Sequence, residues 1–319
     1  MPLLVTHKSL LLSTLLLPGL LCANLSQAAE SDTGGFFGLG WLDQTQAYTT
    51  GKADTLAAQL DRVFGVERSD LEAAYSSLRF STELRYSKID GVEPGVRLRG
   101  KLYLPRINER ISLIFSEDRG EGSNDINQSA LLNDPQSTKV NLEINLNKNQ
   151  RSRFDFRLGL RSGLNLHTSV RYRFEDPVST NMLQRLTQTV YYTQSKGFGA
   201  FTQYQLDREL NATTLLRWTN ELRTEQELDG VEWGTSLNHV TSYENNLAVS
   251  YFARMGGSSE QSFVSQYQAG MRVRRNIARP WLFIEVAPGY SWDKVDEKSP
   301  RIKGFFGSVR LEMAIGQVQ

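Results

Sequence analysis

The sequence predicts an all-β protein, a closed antiparallel β-barrel of about 14 strands. Three observations predict it: apolar and polar residues alternate over long runs, the runs follow one another from residue 76 onward, and polar turns separate most of them. Many runs reach nine or ten residues, whereas strands in globular proteins are most often about 5–6 residues long. A tilted strand needs about 9–11 residues to cross a bilayer, so the pattern favours a transmembrane barrel.

The alternation is strictest in the first half of the predicted barrel. In the run 77–86, Leu78, Phe80 and Leu84 alternate with charged and hydroxyl residues. The other strict runs are 96–104, 140–147, 153–161 and 166–174. A strand with lipid on one face and water on the other has this period of two.

Later strands are less regular. We place them near 183–194, 198–207, 213–224, 230–241, 246–255, 262–275, 281–292 and 303–316. With the short run 111–116 the total is about 14, and it falls to 12 if two weak runs are loops. The polar connection 117–137 is expected on the extracellular side if both termini are periplasmic, with tight periplasmic turns at 146–151 and 242–245.

Aromatic residues tend to lie at the ends of the predicted strands. They are Tyr191, Tyr192, Trp218, Trp233, Tyr251, Trp281, Tyr290, Trp292, Phe305 and Phe306. Amphipathic rings are stable at membrane interfaces, so these residues are compatible with two aromatic girdles around the barrel.

The segment before the predicted barrel has two parts. Residues 1–29 have the features of a cleaved signal peptide: Lys8, an apolar core at 10–21 and small residues at 26–29. Residues 30–75 are predicted to form a periplasmic segment with a short amphipathic helix, because Leu56, Leu60, Val63 and Phe64 recur at helical spacing. A poorly ordered leader is the alternative for this segment. The barrel is expected over 76–319.

Charge and cysteine content exclude several classes of function. Of the 36 basic and 35 acidic residues, the predicted signal holds only one, Lys8. The mature chain is therefore neutral, which gives no reason to expect nucleic acid as a partner. The only cysteine, Cys22, also lies in the signal, so we expect neither disulfides nor thiol chemistry in the mature protein.

On these residues the chain resembles the Gram-negative outer-membrane β-barrel class, including uncharacterised proteobacterial barrels of this size, over about residues 76–316. The resemblance implies export to the outer membrane, contact with outer-membrane lipid and lipopolysaccharide, and insertion by the barrel-assembly machinery. One feature departs from the class. Such barrels usually end on an aromatic residue, whereas this chain ends Met313-Ala-Ile-Gly-Gln-Val-Gln319. Either the terminal assembly signal is degenerate in this chain, or the last strand stops near Ile315.

The polar faces of the first six strands are rich in basic residues. The predicted lumen cluster is Arg79, Arg85, Arg97, Arg99, Lys101, Arg153, Arg157, Arg161, Arg171 and Arg173, with Lys139 beside it. The same faces carry Glu83, Glu143, Asp155 and Glu175. In the later strands, the same face is extended by Arg217, Arg223, Arg272, Arg274 and Arg310. Arginine on the lipid face at mid-depth costs about 2–4 kcal/mol, so the cluster should face inward. Either these side chains interlock and fill the interior, or they line an electropositive lumen that favours small anionic solutes.

No motif points to catalysis or to a cofactor. The mature chain has two histidines, His167 and His239. A barrel phospholipase would need its histidine and serine on the lipid-facing surface, but His167 and nearby Ser169 face inward in the predicted register. Closely spaced histidine pairs and EF-hand spacing are missing from the sequence, so no metal site is predicted.

The sequence thus favours a pore-like or structural outer-membrane barrel that is not an enzyme, with a lumen that would favour anions if open. Two alternatives remain. One is an envelope docking or assembly protein that uses residues 30–75. The other is a water-soluble periplasmic β-sandwich, in which the apolar alternate residues would form the core.

Overall fold

The computed structural model describes residues 77–103, 111–118, 137–148, 151–161, 165–243, 247–277, 279 and 281–315. The predicted signal peptide and the predicted segment 30–75 with its helix lie outside the described residues. Their boundaries, and the docking role considered for residues 30–75, therefore stay predictions. Most of the long connection predicted at 117–137 also lies outside the described residues.

Fourteen antiparallel strands close into one barrel. They are β1 Ser77–Ser87, β2 Gly91–Tyr103, β3 Ile111–Asp118, β4 Ser137–Lys148, β5 Ser152–Arg161, β6 Asn165–Ser179, β7 Met182–Thr193, β8 Gly197–Asn211, β9 Thr214–Glu225, β10 Glu232–Tyr243, β11 Leu247–Ser258, β12 Gln266–Asn276, β13 Leu282–Asp293 and β14 Ile302–Ile315. Each strand pairs with its neighbours in sequence, and β1 pairs with β14. The predicted closed antiparallel barrel and its strand number are confirmed.

The ladder between the first and last strands closes the sheet. It runs from the pair Leu78–Ile315 to the pair Ser87–Phe306. Closure removes the free edges that an open sheet would present for aggregation. β14 runs to Ile315, and residues 316–319 lie outside the described residues.

Alternate residues of each strand point outward, and most of them are apolar. Leu84 and Val96 are 55% and 58% exposed, and Leu158 and Leu237 are also exposed. In a β-sandwich these side chains would pack between two sheets and be buried. The soluble sandwich alternative is therefore wrong, because the apolar half of the pattern forms the outer surface of a single closed sheet.

Aromatic rings gather near both edges of that outer surface. Tyr290 contacts Trp292 and Phe305, with ring centroids 4.8 and 5.0 Å apart. Near the other edge Phe154 and Tyr172 are 4.6 Å apart. Such rings suit a membrane interface.

Two of the predicted girdle residues face the interior instead. Tyr191 is buried, and its hydroxyl donates a hydrogen bond to Glu225 at 2.7 Å. Phe306 pairs with Ser87 in the inward register and packs against Phe252. The prediction grouped Tyr191 with Tyr192 and Phe306 with Phe305, but neighbouring residues on a strand point to opposite faces.

Connections of different lengths join the strands at the two ends of the barrel. At the end where the chain enters β1 and leaves β14, hereafter the terminal end, two-residue turns at 180–181 and 212–213 join adjacent strands. At the opposite end, hereafter the loop end, the connections 226–231, 259–265 and 294–301 are longer. The connection between β3 and β4 is also at the loop end. Among the described residues, no helix is long and apolar enough to span a membrane.

Candidate functional site

The interior of the barrel is the candidate functional site, because the charged residues of the strands converge there. Strand pairing places the described side chains of the predicted basic cluster on the inner face, where they alternate with the exposed apolar residues. Arg97, Lys101 and Arg153 are buried. For Arg161 the structure describes the backbone, which pairs with Lys139 and Asn165, but not the side chain. A role of this cluster in selecting anions stays a prediction.

A network of ion pairs surrounds the junction of β1 and β14, and we name it the seam cluster. Its members are Arg79, Glu83, Arg85, Arg97, Arg272, Arg274, Glu285, Arg310 and Glu312. They come from β1, β2, β12, β13 and β14. Strands from both ends of the chain therefore build this part of the wall.

Each carboxylate of the seam cluster contacts more than one guanidinium group. The oxygens of Glu83 lie 2.9 Å from Arg97, 3.2 Å from Arg85 and 3.4 Å from Arg310. Such sharing leaves the cluster with six arginines against three glutamates. The cluster therefore carries a net positive charge, because arginine stays protonated in proteins.

The other two carboxylates extend the network around the barrel. Glu312 lies 2.6 Å from Arg274 and 3.1 Å from Arg79. Glu285 lies 3.4 Å from Arg272, 3.5 Å from Arg274 and 3.8 Å from Arg310. The pair Arg79–Glu312 joins β1 to β14 by side chains as well as by the backbone ladder.

A second basic group lies on β2, β4 and β5. Glu143 contacts Arg157 at 2.7 Å, Lys101 at 3.2 Å and Arg153 at 3.3 Å. Arg153 also contacts Asp155 at 2.6 Å. Three cations therefore meet two carboxylates, so this group repeats the positive excess of the seam cluster.

We name the inner faces of β12–β14 and β1–β6 the basic arc, and the inner faces of β7–β11 the neutral wall. In the neutral wall, Arg217 bonds both oxygens of Asp207, at 2.7 and 2.8 Å, and Gln205 donates to the same carboxylate. Arg223 contacts Glu232 at 2.8 Å. A two-pronged contact of this kind matches the shape and the charge of a single guanidinium to a single carboxylate.

Aromatic rings also enter the interior, on the side of β11–β14. Phe252 and Phe306 lie 6.4 Å apart. They cover Gly270 and Gly289, where an added Cβ would lie 2.8 Å from the Phe252 ring and 2.3 Å from the Phe306 ring. The guanidinium of Arg254 stacks on Phe252 at 4.6 Å. The glycines thus make room for two aromatic rings in the interior.

The two histidines occupy different faces. His167 faces the interior as predicted, is buried, and has its Nδ1 3.0 Å from the Thr193 hydroxyl. His239 lies on the outer face, with its ring 6.5 Å from that of Tyr251. Among the described residues, no group of three or more histidine, aspartate or glutamate side chains is placed to hold a metal ion.

Sequence analysis missed several inner-face residues of the later strands. Its basic set omitted Arg185 and Arg254, and its acidic set omitted the residues Asp207, Glu221, Glu232, Glu285 and Glu312. The signal was present in β14, where Arg310 and Glu312 alternate with Val309 and Leu311. Extending the alternation into that strand would have found Glu312, one of the carboxylates of the seam cluster.

Comparison with known proteins gives matches in fold only. No protein-family model matches the chain, and no curated protein matches it in sequence. Solved structures do match. The anion-selective porin from Comamonas acidovorans is 8% identical, with a TM-score of 0.45 over 76% of this chain and 99% of that one.

Two further porins show a similar likeness. OprB from Pseudomonas putida is 8% identical, with a TM-score of 0.47 over 78% of this chain and 96% of that one. The KdgM porin is 6% identical, with a TM-score of 0.38 over 74% of this chain and 98% of that one. At these identities the likeness concerns the fold. From its own strand pairing, the chain is a closed 14-stranded barrel with an apolar outer face and a charged interior.

Proposed function

We propose that this protein is an outer-membrane pore whose lumen favours small anions. The observation that carries the proposal is the excess of cations in the basic arc. Its described basic side chains are Arg79, Arg85, Arg97, Arg99, Lys101, Arg153, Arg157, Arg171, Arg173, Arg272, Arg274 and Arg310. Its described carboxylates are Glu83, Glu93, Glu143, Asp155, Glu175, Glu285, Asp293 and Glu312. Basic rings favour anions in other pores.

The outer surface supports placement in a membrane. Exposed apolar side chains cover it, as at Leu84 and Val96, and aromatic rings border them. Hydrocarbon provides no hydrogen bonds to the backbone, and a closed barrel satisfies its own. Export by the predicted signal peptide, insertion by the barrel-assembly machinery and contact with lipopolysaccharide belong to the same proposal.

The direction of the ion pairs supports an open lumen over a filled one. Arg153 pairs within its own strand, Arg97 pairs with the adjacent β1, and Lys101 reaches from β2 to β4. Arg274 likewise reaches from β12 to β14. These pairs therefore run along the wall rather than across the interior. Fourteen strands also enclose more space than the roughly 8-stranded barrels that side chains can fill.

Planar-bilayer recording of the refolded protein tests the proposal. We expect stepwise conductance. Across a potassium chloride gradient, we expect the reversal potential to shift from zero toward the equilibrium potential of chloride. Absence of conductance, or a preference for potassium, would contradict the proposal. Membrane placement is checked separately: carbonate washing should leave the protein in the outer-membrane fraction, and release without detergent would overturn that part.

A further inference from the structure

We propose that two copies of this barrel associate in the membrane through a polar patch on the outer face of β7–β10. We name it the outer polar patch, and its members are Gln184, Gln188, Thr202, Tyr204, Trp218, Asn220 and Thr235. The inference rests on the proposed placement of the outer surface in a membrane. It does not depend on whether the lumen is open or favours anions.

Strand pairing brings the outer polar patch together. Gln188 lies opposite Thr202 across β7 and β8, and Tyr204 lies opposite Asn220 across β8 and β9. Asn220 in turn lies opposite Thr235 on β10. On each of these strands the members of the patch alternate in step with exposed apolar residues. Their side chains therefore point away from the lumen.

The outer polar patch lies at the middle of the strands. Tyr204 is the central residue of the 15-residue strand β8. Gln188 and Asn220 lie near the centres of the 12-residue strands β7 and β9. In a barrel that spans a membrane, the centres of the strands lie deepest in the hydrocarbon. The patch is thus placed where lipid, not water, surrounds a single barrel.

The outer face of the other strands is different at this height. Met271, Val286 and Val309, near the centres of β12, β13 and β14, are apolar and exposed. On the described outer faces of β11–β14 and β1–β5, no asparagine or glutamine lies at mid-height. Amide side chains are therefore confined to one side of the barrel, which indicates that this side meets something other than lipid.

The hydrogen bonds within the outer polar patch leave one amide over. Thr202 donates to Gln188 at 2.7 Å, and the indole of Trp218 donates to Thr235 at 3.0 Å. Asn220 lies between these pairs and is half-buried, but its side chain makes no hydrogen bond to the residues that the structure describes. Lipid chains offer neither donors nor acceptors. A polar group on a neighbouring molecule would satisfy the amide.

Two aromatic residues give the outer polar patch a firm centre. Tyr204 and Trp218 meet edge to face with ring centroids 6.3 Å apart, and the Tyr204 hydroxyl donates to Gln184 at 3.3 Å. Trp218 is the fifth of 12 residues in β9 and is 43% exposed. Tryptophan exposed to lipid is enriched at the two membrane interfaces, whereas at protein interfaces tyrosine and tryptophan are common anchors.

A second copy of this chain is the partner that matches the outer polar patch. An interface with two-fold symmetry uses the same surface on both subunits, so that surface must complement itself. The patch contains no charged residue, and its amide and hydroxyl groups both donate and accept hydrogen bonds. Two barrels inserted in the same direction share an axis along the membrane normal, so residues at mid-height meet residues at mid-height.

The single patch favours two subunits over a larger ring. A ring pairs two different surfaces of each subunit. The described outer face has one group of amides at mid-height, so a ring would set these amides against apolar side chains. A two-fold axis sets the polar surface against its own copy. The geometry therefore points to a dimer.

Crosslinking at engineered cysteines in isolated outer membranes tests the dimer. The unmodified chain, whose only cysteine is Cys22, gives the background. With a short bis-maleimide, Thr202→Cys and Asn220→Cys should yield a band of two chains. Val96→Cys is the matched control, because Val96 is 58% exposed near the centre of β2, seven strands away from β9 in the barrel. It should yield single chains.

Sedimentation equilibrium of the refolded full chain in detergent tests the contribution of the amide. Asn220→Leu should raise the dissociation constant of the dimer about tenfold, because a polar contact between membrane segments is lost twice across the two-fold axis. The variant should fold, since leucine suits a lipid-facing position. Val96→Leu is the control and should leave the dissociation constant unchanged.

Four results would overturn the dimer: no two-chain band at either patch cysteine, equal crosslinking at Val96→Cys, a crosslinked band that contains a different protein, or an unchanged dissociation constant in Asn220→Leu. Bilayer recording separates this inference from the proposed pore. A conducting monomer would leave the pore and remove the dimer. A dimer without conductance would leave the dimer and contradict the pore.

Discussion

The basic arc and the neutral wall belong to one sheet with one alternation of residues, yet they differ in how many cations each carboxylate contacts. In the basic arc, Glu83, Glu143 and Glu285 each contact three cations. In the neutral wall, Asp207 accepts two hydrogen bonds from the single guanidinium of Arg217. One carboxylate paired with one guanidinium is electrically neutral, whereas one carboxylate shared by three cations has a net positive charge around it. The comparison therefore assigns the proposed anion preference to one side of the wall, the basic arc.

The largest expected effect comes from removing a shared carboxylate. Glu83→Gln leaves Arg85, Arg97 and Arg310 without their common counter-ion. Removing one partner of a buried ion pair costs about 3–5 kcal/mol. The free energy of unfolding should therefore fall by about that amount in urea titrations of the refolded barrel. Exposed Glu93, which also lies in the basic arc, provides the matched control as Glu93→Gln. Equal stability of the two variants would show that the seam cluster contributes little to closure.

A smaller effect is expected from packing within the basic arc. An added Cβ at Gly159 would lie 2.2 Å from the backbone oxygen of Val140 and 2.3 Å from the side chain of Asn141. Gly159→Ala should therefore cost about 1–3 kcal/mol by overpacking. At Gly307 the nearest atom would be 3.8 Å away, so Gly307→Ala should unfold like the unmodified protein. Comparable losses in the two variants would contradict the close packing of β4 against β5.

The neutral wall should respond to loss of a single hydrogen bond. Tyr191→Phe removes the hydroxyl that donates to Glu225. A hydrogen bond to a charged group is worth about 1.5–3 kcal/mol, and less where water replaces it, so we expect a loss of about 1.5 kcal/mol. Ion selectivity should not change, because the variant keeps every charge. A changed reversal potential would show that the neutral wall also selects ions.

The smallest effect is expected outside both regions. Asp296, in the connection between β13 and β14, accepts hydrogen bonds from the Ser299 hydroxyl at 2.6 Å and amide at 2.8 Å, which lower the pKa of its carboxyl. A lowered pKa means that the bonds order the loop above the usual aspartate pKa and are lost as pH falls through the lowered value. Carbon-detected NMR titration should show this shift, and Asp296→Asn should leave selectivity unchanged. A normal pKa at Asp296 would contradict these bonds.

The first half of the barrel could be predicted from the sequence because charge and hydrophobicity alternate strictly there, as Arg153 and Arg157 do with Phe154 and Leu158. Strands β7 and β8 were harder for a physical reason. Their outer faces also carry polar residues, and Thr202 donates to Gln188 at 2.7 Å while Tyr204 donates to Gln184 at 3.3 Å. Because these polar groups bond to one another on the outer face, both faces of the two strands carry polar residues. The alternation of apolar and polar residues in the sequence is therefore weaker.

The partners within the candidate site could not be predicted at all. Arg79 and Glu312 lie 233 residues apart and meet only because the first and last strands pair. Lys101 and Glu143 meet across β3, which depends on the stagger of three strands. Alternation predicts which face a residue occupies. The register between strands decides which charges touch, and that register follows from closure of the whole sheet.

The central claim is that the basic arc makes the lumen prefer anions, and paired charge variants test it most directly. Arg157→Gln removes one cation from the basic arc, and Arg223→Gln removes one from the neutral wall. In planar bilayers with a potassium chloride gradient, we expect the reversal potential to move toward zero in Arg157→Gln and to stay near the unmodified value in Arg223→Gln. An unchanged reversal potential in Arg157→Gln, or equal shifts in both variants, would contradict the account.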